Sequence, residues 1–343
     1  MKITILFGGA SYEHEISIVS AITVMEKLRS FDINLVFCDQ DHQFYKVDTK
    51  NMKAKSFSSG TYKKMPLLHV RKGGFELRRT FSKELLDAPV LNLIHGGDGE
   101  DGSIASILDF YDISFIGPRK EASVFSFDKG YTKWLAQSLH VKTLDYEILR
   151  QGEKPSIALP IIIKPARLGS SIGVSIVKEE SELDYALDVA FEFDERVVIE
   201  PFVAGVKEYN LAGCSIDGKI HFSIVEEPEK QEFLDFDKKY RDFSRSSKAN
   251  EAELDEAMVK KLQTTFSKIY TGLFEGALIR CDFFVIDDEV CLNEINPIPG
   301  SMAHYLFEDF DALMQVLLRS LPSQKRPKLS YQYIHSINQA KGK

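Results

Sequence analysis

The chain has 343 residues, 44% of them hydrophobic and 27% charged, the balance of a soluble globular protein long enough for two or three domains. A net charge of −8 weighs against non-specific nucleic-acid binding, and no apolar run approaches membrane-spanning length. Cys38, Cys214, Cys281 and Cys291 form no C-x-x-C pair and the N-terminus shows no signal-peptide pattern, so four structural thiols in a reducing cytoplasm are expected, without a zinc site.

In chain order, "KITILFGG" predicts a strand ending at Gly8-Gly9, followed by a helix over residues 16–28. Residues 33–39 and 89–97 read as further strands, the second leading to a helix over 103–111. Strands alternating with helices imply an α/β architecture with a mostly parallel, helix-covered sheet. Residues 51–83 are polar and carry no clear period. Gly117-Pro118 marks a boundary, after which come a helix over 129–139, the strand "PIIIKP", the loop "ARLGSSIG", the strand "VSIV" and a helix over 181–191. "RVVIEPFV" opens a third region, which gives domains 1–117, 118–199 and 200–343. Leu254, Met258, Leu262, Phe266, Ile269 and Leu273 mark the longest amphipathic helix, and "ALIRCDFFVI" and "EVCLNEIN" follow as strands. Beyond Leu321 the tail holds Lys and Arg but no acidic residue and reads as a solvated, partly ordered terminus.

Gly97-Asp98-Gly99-Glu100-Asp101-Gly102 matches G-x-G-x-x-G between a strand and a helix, the pattern of a dinucleotide fingerprint. Asp98, Glu100 and Asp101 would repel a pyrophosphate seated there, and acidic residues in a first turn are better explained by the helix dipole. No G-x-x-x-x-G-K-[ST] occurs, which excludes a P-loop enzyme. Lys164 ends an apolar strand and leads into two glycines and two serines, a stretch suited equally to holding phosphate or to forming a surface hairpin.

The period of two puts Glu294 and Asn296 on one strand face, and Arg280 and Asp282 on one face of the strand before it. Asp282 can stand opposite Glu294 if the connection has odd length, for example with Ile286 paired to Val290; a two-residue loop would place the carboxylates on opposite faces. Asp282, Glu294 and Asn296 would then offer oxygen ligands for one or two Mg²⁺ ions against phosphates. A solvated acidic face is the plainer alternative, and Arg280 inside such apolar strands favours metal.

Taken in order, "FGGASYEHEIS", "HGGDGEDG", "KPARLGSSIGV", "IEPFVAGVKEYN", "KKY" and "IRCDFFV…NEINPIPGS" resemble the motifs of the D-alanine–D-alanine ligases of the ATP-grasp superfamily over nearly the whole chain. The resemblance implies an N-terminal parallel-sheet domain followed by central and C-terminal α+β domains that clamp ATP between two antiparallel sheets. It implies ATP-dependent joining of two D-alanines through a D-alanyl phosphate for peptidoglycan precursor synthesis, with two Mg²⁺ ions (Mn²⁺ as a substitute), in a cytoplasmic homodimer. The competing readings are a D-alanine–D-lactate ligase, another ATP-grasp ligase joining a carboxylate to an amine, for which Glu13 and its surroundings give no support, and a nucleotide-binding module without catalysis.

Position by position, the resemblance gives Glu13 and His95 to the first D-alanine, and Lys129, Lys164 and Ser171 to the nucleotide phosphates. Glu200, Pro201 and Val203 fall at the adenine hinge, Glu208 at the ribose, and Asp282, Glu294 and Asn296 at the metal. Arg280 and the backbone N–H of Gly300 serve the oxyanion, while Ser301, Tyr305 and Leu306 flank the second substrate. Lys239 and Tyr240 belong to a closing loop, which Tyr240, Ser170 and Glu13 lock. The chain departs from the family's usual pattern at Tyr305, where a serine is common, and at Leu234 and Ile16.

Overall fold

The computed structural model describes residues 1–228, 249–323 and 327–341. Strand β1 (Lys2–Gly8) sends Ile3, Ile5 and Phe7 into one core and Leu6 into another, so its apolar run reflects burial on both faces. It pairs in parallel with β2 (Asp32–Cys38) and β7 (Val90–Asn92), and β7 pairs in parallel with β8 (Phe115–Ile116). From β2 outward the pairing is antiparallel, through β3 (Phe44–Val47), β4 (Leu67–Arg71), β5 (Gly74–Arg78) and β6 (Lys83–Leu86). The eight-stranded order is β6-β5-β4-β3-β2-β1-β7-β8.

The expected mostly parallel sheet is therefore mixed. A parallel neighbour needs a crossover, which α1 (His14–Lys27) supplies between β1 and β2. Where Arg71 pairs with Gly74 across Lys72-Gly73, only an antiparallel hairpin can close, and Gly73 supplies the positive φ of +84°. Residues 51–83 are correspondingly more regular than their sequence suggests, holding α2 (Ala54–Ser58), β4 and β5. Short strands beside an exposed edge alternate weakly, and three of the four residues of β6 are exposed.

The glycine-rich run forms α3 (Gly97–Glu100) and the entry to α4 (Ser103–Phe110). Asp98 turns back on the first loop, where Oδ2 accepts the Ala10 N–H at 2.9 Å and lies 2.9 Å from His42 Nε2. Asp101 Oδ1 accepts the Ser103 N–H at 2.7 Å. The Ser103 N–H at the start of α4, which a pyrophosphate would require, is thus taken by Asp101.

Helices α5 (Lys120–Phe127) and α6 (Lys129–Ser138) lead into an antiparallel sheet of order β11-β10-β12-β9. Its strands are β9 (Glu147–Arg150), β10 (Ile161–Pro165), β11 (Ser175–Val177) and β12 (Arg196–Pro201). Leu183, Ala186, Leu187 and Ala190 of α7 (Leu183–Phe191) cover its apolar face.

A second antiparallel sheet, of order β14-β13-β15-β16, comprises β13 (Lys207–Ile216), β14 (Lys219–Glu226), β15 (Leu278–Ile286) and β16 (Glu289–Asn296). The amphipathic helix is α8 (Glu256–Tyr270), capped by Asp255, whose Oδ1 accepts the Met258 N–H at 2.7 Å. Leu262, Phe266 and Ile269 enter the core of that sheet. Helix α9 (Phe310–Arg319) adds Phe310, Met314 and Leu317 to the core that β1 and α1 share. The last helix, α10 (Gln332–Lys341), has exposed side chains where they are described. No helix among the described residues is long and apolar enough to cross a membrane. All four cysteines are buried free thiols.

The β15–β16 hairpin reaches the expected opposition by another route. Its loop is the two-residue Asp287-Asp288, with φ of 48° and 62°, and Ile286 pairs with Glu289. Such a turn sets the register that would separate the carboxylates. A bulge corrects it: Phe283 faces Leu292, then Asp282 faces Glu294, leaving Asn293 as the extra residue.

Candidate active site

Loops and strand ends from all three sheets converge on one cleft, lined by Glu100, Lys129, Gly169, Asn293, Glu294 and Asn296 among others. Glu13 precedes α1 and is buried, and Ser170 Oγ donates to its Oε1 at 2.6 Å. Burial raises the Glu13 pKa, with a further rise from the neighbouring Glu100 charge and a partial offset from the Ser170 hydrogen bond. The fit around this carboxylate is close. A Cβ at Gly169 would stand 2.9 Å from both carboxylate oxygens, and one at Gly96 would stand 2.7 Å from Oε2.

His95 lies at the end of the β7 segment, almost fully buried. Its Nε2 is 2.9 Å from Ser20 Oγ and its Nδ1 is 3.7 Å from Glu100 Oε1. Ser20 Oγ also accepts the backbone N–H of Ser301 at 3.0 Å.

A cationic corner faces this acidic one. Lys129 Nζ donates to the Leu168 carbonyl at 2.5 Å, and burial lowers its pKa although Glu294 favours the charged form. Lys164 Nζ sits 2.6 Å from Glu200 Oε2 and 3.4 Å from Asn293 Oδ1. Burial opposes the Lys164 charge, yet Glu200 holds its pKa above the ordinary value. Lys133 of α6 pairs with the other oxygen of Glu200 and is 3% exposed; its burial outweighs Glu200 and lowers its pKa. Glu200 in turn is pushed down to about 2: burial would raise it, but Lys164 and Lys133 prevail.

Pro201 ends β12, and beyond it the Phe202 N–H donates to the Pro160 carbonyl at 2.9 Å, fixing the strap that carries Val203. Glu208 stands on β13 opposite Phe284. Ser171 follows Ser170 in the loop, both with positive φ, 58° and 55° respectively.

On the third sheet Arg280 grips Asp282 with two hydrogen bonds, Nε to Oδ1 at 2.7 Å and Nη2 to Oδ2 at 2.8 Å. Burial opposes the guanidinium charge, and Asp282 overcomes it, holding the Arg280 pKa well above its usual range. Asn296 Nδ2 donates to Asp282 Oδ2 at 3.0 Å, and burial raises the Tyr305 pKa while the neighbouring Arg280 charge partly offsets the rise. Gly300 opens a tight turn in which Ser301, Met302 and Ala303 have φ of 47°, 56° and 47°. The Leu306 side chain packs in the core with Ile298 and Phe310.

Asp282, Glu294 and Asn296 fit a hard divalent cation: register partners put two carboxylates and an amide on one sheet end, beside a cleft that also holds Lys129. Among the described residues no three His, Cys, Asp or Glu side chains gather as a self-sufficient metal cluster. A sparse oxygen set of this kind suits Mg²⁺, which completes its shell with water and substrate phosphates.

The N-terminal residues 2–118 match the family model described as D-ala D-ala ligase N-terminus, and residues 131–314 match its C-terminal counterpart. The chain belongs to the D-alanine–D-alanine ligase family. It is 61% identical to a D-alanine–D-alanine ligase of Sulfurimonas denitrificans, with both chains fully covered. A crystal structure of D-alanine–D-alanine ligase from Helicobacter pylori superposes with a TM-score of 0.84 at 47% identity, covering 95% of this chain and 100% of that one. The VanG D-Ala:D-Ser ligase of Enterococcus faecalis superposes at 0.74 with 25% identity, covering 93% and 98%. Membership carries the ATP-grasp fold, and with it the use of ATP and a divalent metal.

Within this ligase-family site the structure brings together Glu13 with Ser170, Lys164 with Glu200, and Arg280 with Asp282, Asn296 and Tyr305. Lys239, Tyr240 and Leu234 lie outside the described residues. Lys133, Asn293, Glu100 and Ser20 were not anticipated. Only Asn293, next to two polar residues that alternation had singled out, left a usable trace in "LNEIN".

Proposed function

We propose that this chain catalyses the ATP-dependent joining of two D-alanines to D-alanyl-D-alanine, through a D-alanyl phosphate, for peptidoglycan precursors in the cytoplasm. The observation that carries the reading is the Arg280–Asp282–Asn296 cluster facing Glu294 across the bulge, within reach of the Lys129 cleft. Asp282, Glu294 and Asn296 would hold two Mg²⁺ ions, with Mn²⁺ as a substitute. The ions' chemistry is to neutralise phosphate charge while the first carboxylate approaches.

The chain's own groups do the rest. Glu13 and His95 hold the ammonium end of the first D-alanine. Lys129, Lys164 and Ser171 hold the phosphates, Glu200, Pro201 and Val203 the adenine, and Glu208 the ribose. Arg280 and the Gly300 N–H face the oxyanion that forms when the second amine attacks, a site where donors act strongly because water is excluded. Ser301, Tyr305 and Leu306 flank that second amino acid. Tyr305 offers a phenol in place of a serine hydroxyl, close enough to Arg280 to feel its charge.

The resemblance assigns Tyr240 and Lys239, outside the described residues, to the closing of the site together with Ser170 and Glu13. The three lobes of the proposal, 1–117, 118–199 and 200–343, carry one sheet each in essence, and the working unit is a homodimer. A D-lactate-dependent ester ligase is not favoured, since the full-length relatives at 53–61% identity are named as dipeptide ligases.

The test is phosphate release from MgATP with D-alanine, with L-alanine, and with D-alanine plus D-lactate, products being identified by mass spectrometry. Dipeptide from the D-isomer alone is expected. Nucleotide binding without turnover, or the ester as main product at neutral pH, contradicts the proposal.

A further inference from the structure

Helix α1 touches more of the site than its first residue. Glu13 at its N-terminal end meets Ser170, and Ser20, two turns on, reaches both His95 and the backbone of Ser301, 281 positions away. Seven residues of helix span about 10 Å, so one rigid element carries both contacts. The helix is itself fixed to the first sheet by a different serine: Ser17 Oγ accepts the Gly8 N–H at 2.8 Å and donates to the Leu93 carbonyl at 2.6 Å. Anchoring to the sheet is thus accounted for without Ser20.

We propose that Ser20 is a positioning residue of the ligation reaction, tying the histidine of the first-substrate pocket to the turn that carries the oxyanion donor and the second-substrate residues. The inference rests on the ligase reading above. A hydroxyl has one proton to donate. Ser20 Oγ accepts the Ser301 N–H at 3.0 Å and is hydrogen-bonded to His95 Nε2 at 2.9 Å, so the one hydroxyl serves both partners. The other ring nitrogen of His95, Nδ1, faces Glu100 Oε1 at 3.7 Å.

On the other side, Ser301, Met302 and Ala303 hold left-handed backbone that residues with a Cβ rarely adopt. Such strain persists only where the surroundings over-determine it. The bonds that do so here include Met302 N–H to the Pro299 carbonyl at 2.7 Å, Ser301 N–H to Ser20, and the His304 ring against the Ser301 carbonyl at 3.1 Å. Ser20, His95 and Ser301 are each at most 3% exposed, so water does not stand in for the hydroxyl.

Ser20→Ala removes one oxygen. Because Thr and Val have nearly the same shape, Ser20→Thr and Ser20→Val impose the same steric load and differ in the hydroxyl. Steady-state kinetics and melting temperature are measured for all four proteins, with D-alanine and with ATP varied in turn. Ser20→Ala is expected to lower kcat about 10- to 100-fold, with KM for ATP changed less than about twofold, since only transition-state geometry is lost. Ser20→Thr should exceed Ser20→Val in kcat by about tenfold or more. If Thr and Val variants do not fold, Ser20→Ala decides alone. A lower melting temperature with kcat and KM unchanged, equal rates for Thr and Val, or a KM for ATP that rises in step with the loss of kcat would overturn the inference. Wild-type protein that makes no dipeptide would instead bring down the functional reading, and the inference with it.

Discussion

The most exacting positions are those where one atom decides between a fold effect and a site effect. At Gly169 no unusual φ is required, but a Cβ would press on the tip of the Glu13 side chain at 2.9 Å. That tip is flexible, so the chain yields without unfolding while the carboxylate moves. Gly169→Ala is expected to keep its melting temperature within about 2 °C and lose about tenfold or more in kcat. Calorimetry beside kinetics separates the two, and equal losses of stability and rate would count against the close fit. Arg280→Ala removes the proposed oxyanion donor and leaves the buried Asp282 without its guanidinium partner, so kcat should fall about 10²–10³-fold.

Glu200 gives a pH prediction with a definite sign. Its folded pKa, about 2, lies below the ordinary 4.5, so its contribution to stability is fully present above pH 4.5 and is lost as the pH falls toward 2. The shift corresponds to at most about 3 kcal/mol. Denaturant titrations across that window should show the loss in the wild type and not in Glu200→Gln, which should itself be destabilised near neutrality by two buried ammonium groups left unpaired. A parallel acid dependence in both proteins would show that the lysine pairs do not hold the carboxylate ionised.

At the scale of the element, alternation made Asp282, Glu294 and Asn296 legible because a strand's period is two and both strands, nine and eight residues long, are mostly apolar. The opposition of Asp282 and Glu294 was legible too, but its cause was not. A loop of odd length was expected, whereas Asp287-Asp288 makes a tight turn and the bulge at Asn293 restores the face. A bulge leaves little trace in one sequence, because it depends on which backbone pairs its neighbours complete. Lys133 and Ser20 were hidden for a related reason. A lysine or serine on an amphipathic helix reads as solvent-facing, and only the packing of α6 and α1 against other lobes buries them. The mixed first sheet was missed because four-residue strands near an exposed edge carry too few residues to show a period.

At the scale of the whole molecule, the two antiparallel four-stranded sheets are those that the resemblance implied. What joins the lobes was less visible, since contacts such as Ser170 to Glu13 link residues 157 positions apart. The proposed ligands Asp282, Glu294 and Asn296 are too few to fill a Mg²⁺ shell without phosphate and water, so binding of nucleotide and cation should depend on one another. Chelation with EDTA should abolish turnover, with Mg²⁺ or Mn²⁺ restoring it. A non-hydrolysable ATP analogue at about 100 times its Kd should stabilise the fold by about 2.7 kcal/mol with Mg²⁺ present and by clearly less without it. Equal stabilisation in both conditions would show that the nucleotide binds without help from Asp282, Glu294 and Asn296.

The measurement that tests the central claim most directly follows an oxygen atom. If the first carboxylate attacks phosphorus and the second amine then displaces phosphate, one carboxylate oxygen must leave with that phosphate. D-alanine labelled with ¹⁸O in its carboxylate, incubated with MgATP and the wild-type protein, is predicted to yield D-alanyl-D-alanine and inorganic phosphate carrying one ¹⁸O per dipeptide formed. Dipeptide accompanied by unlabelled phosphate would contradict the acyl-phosphate account, and labelled D-alanine recovered unchanged while ATP stays intact would contradict the ligase assignment as a whole.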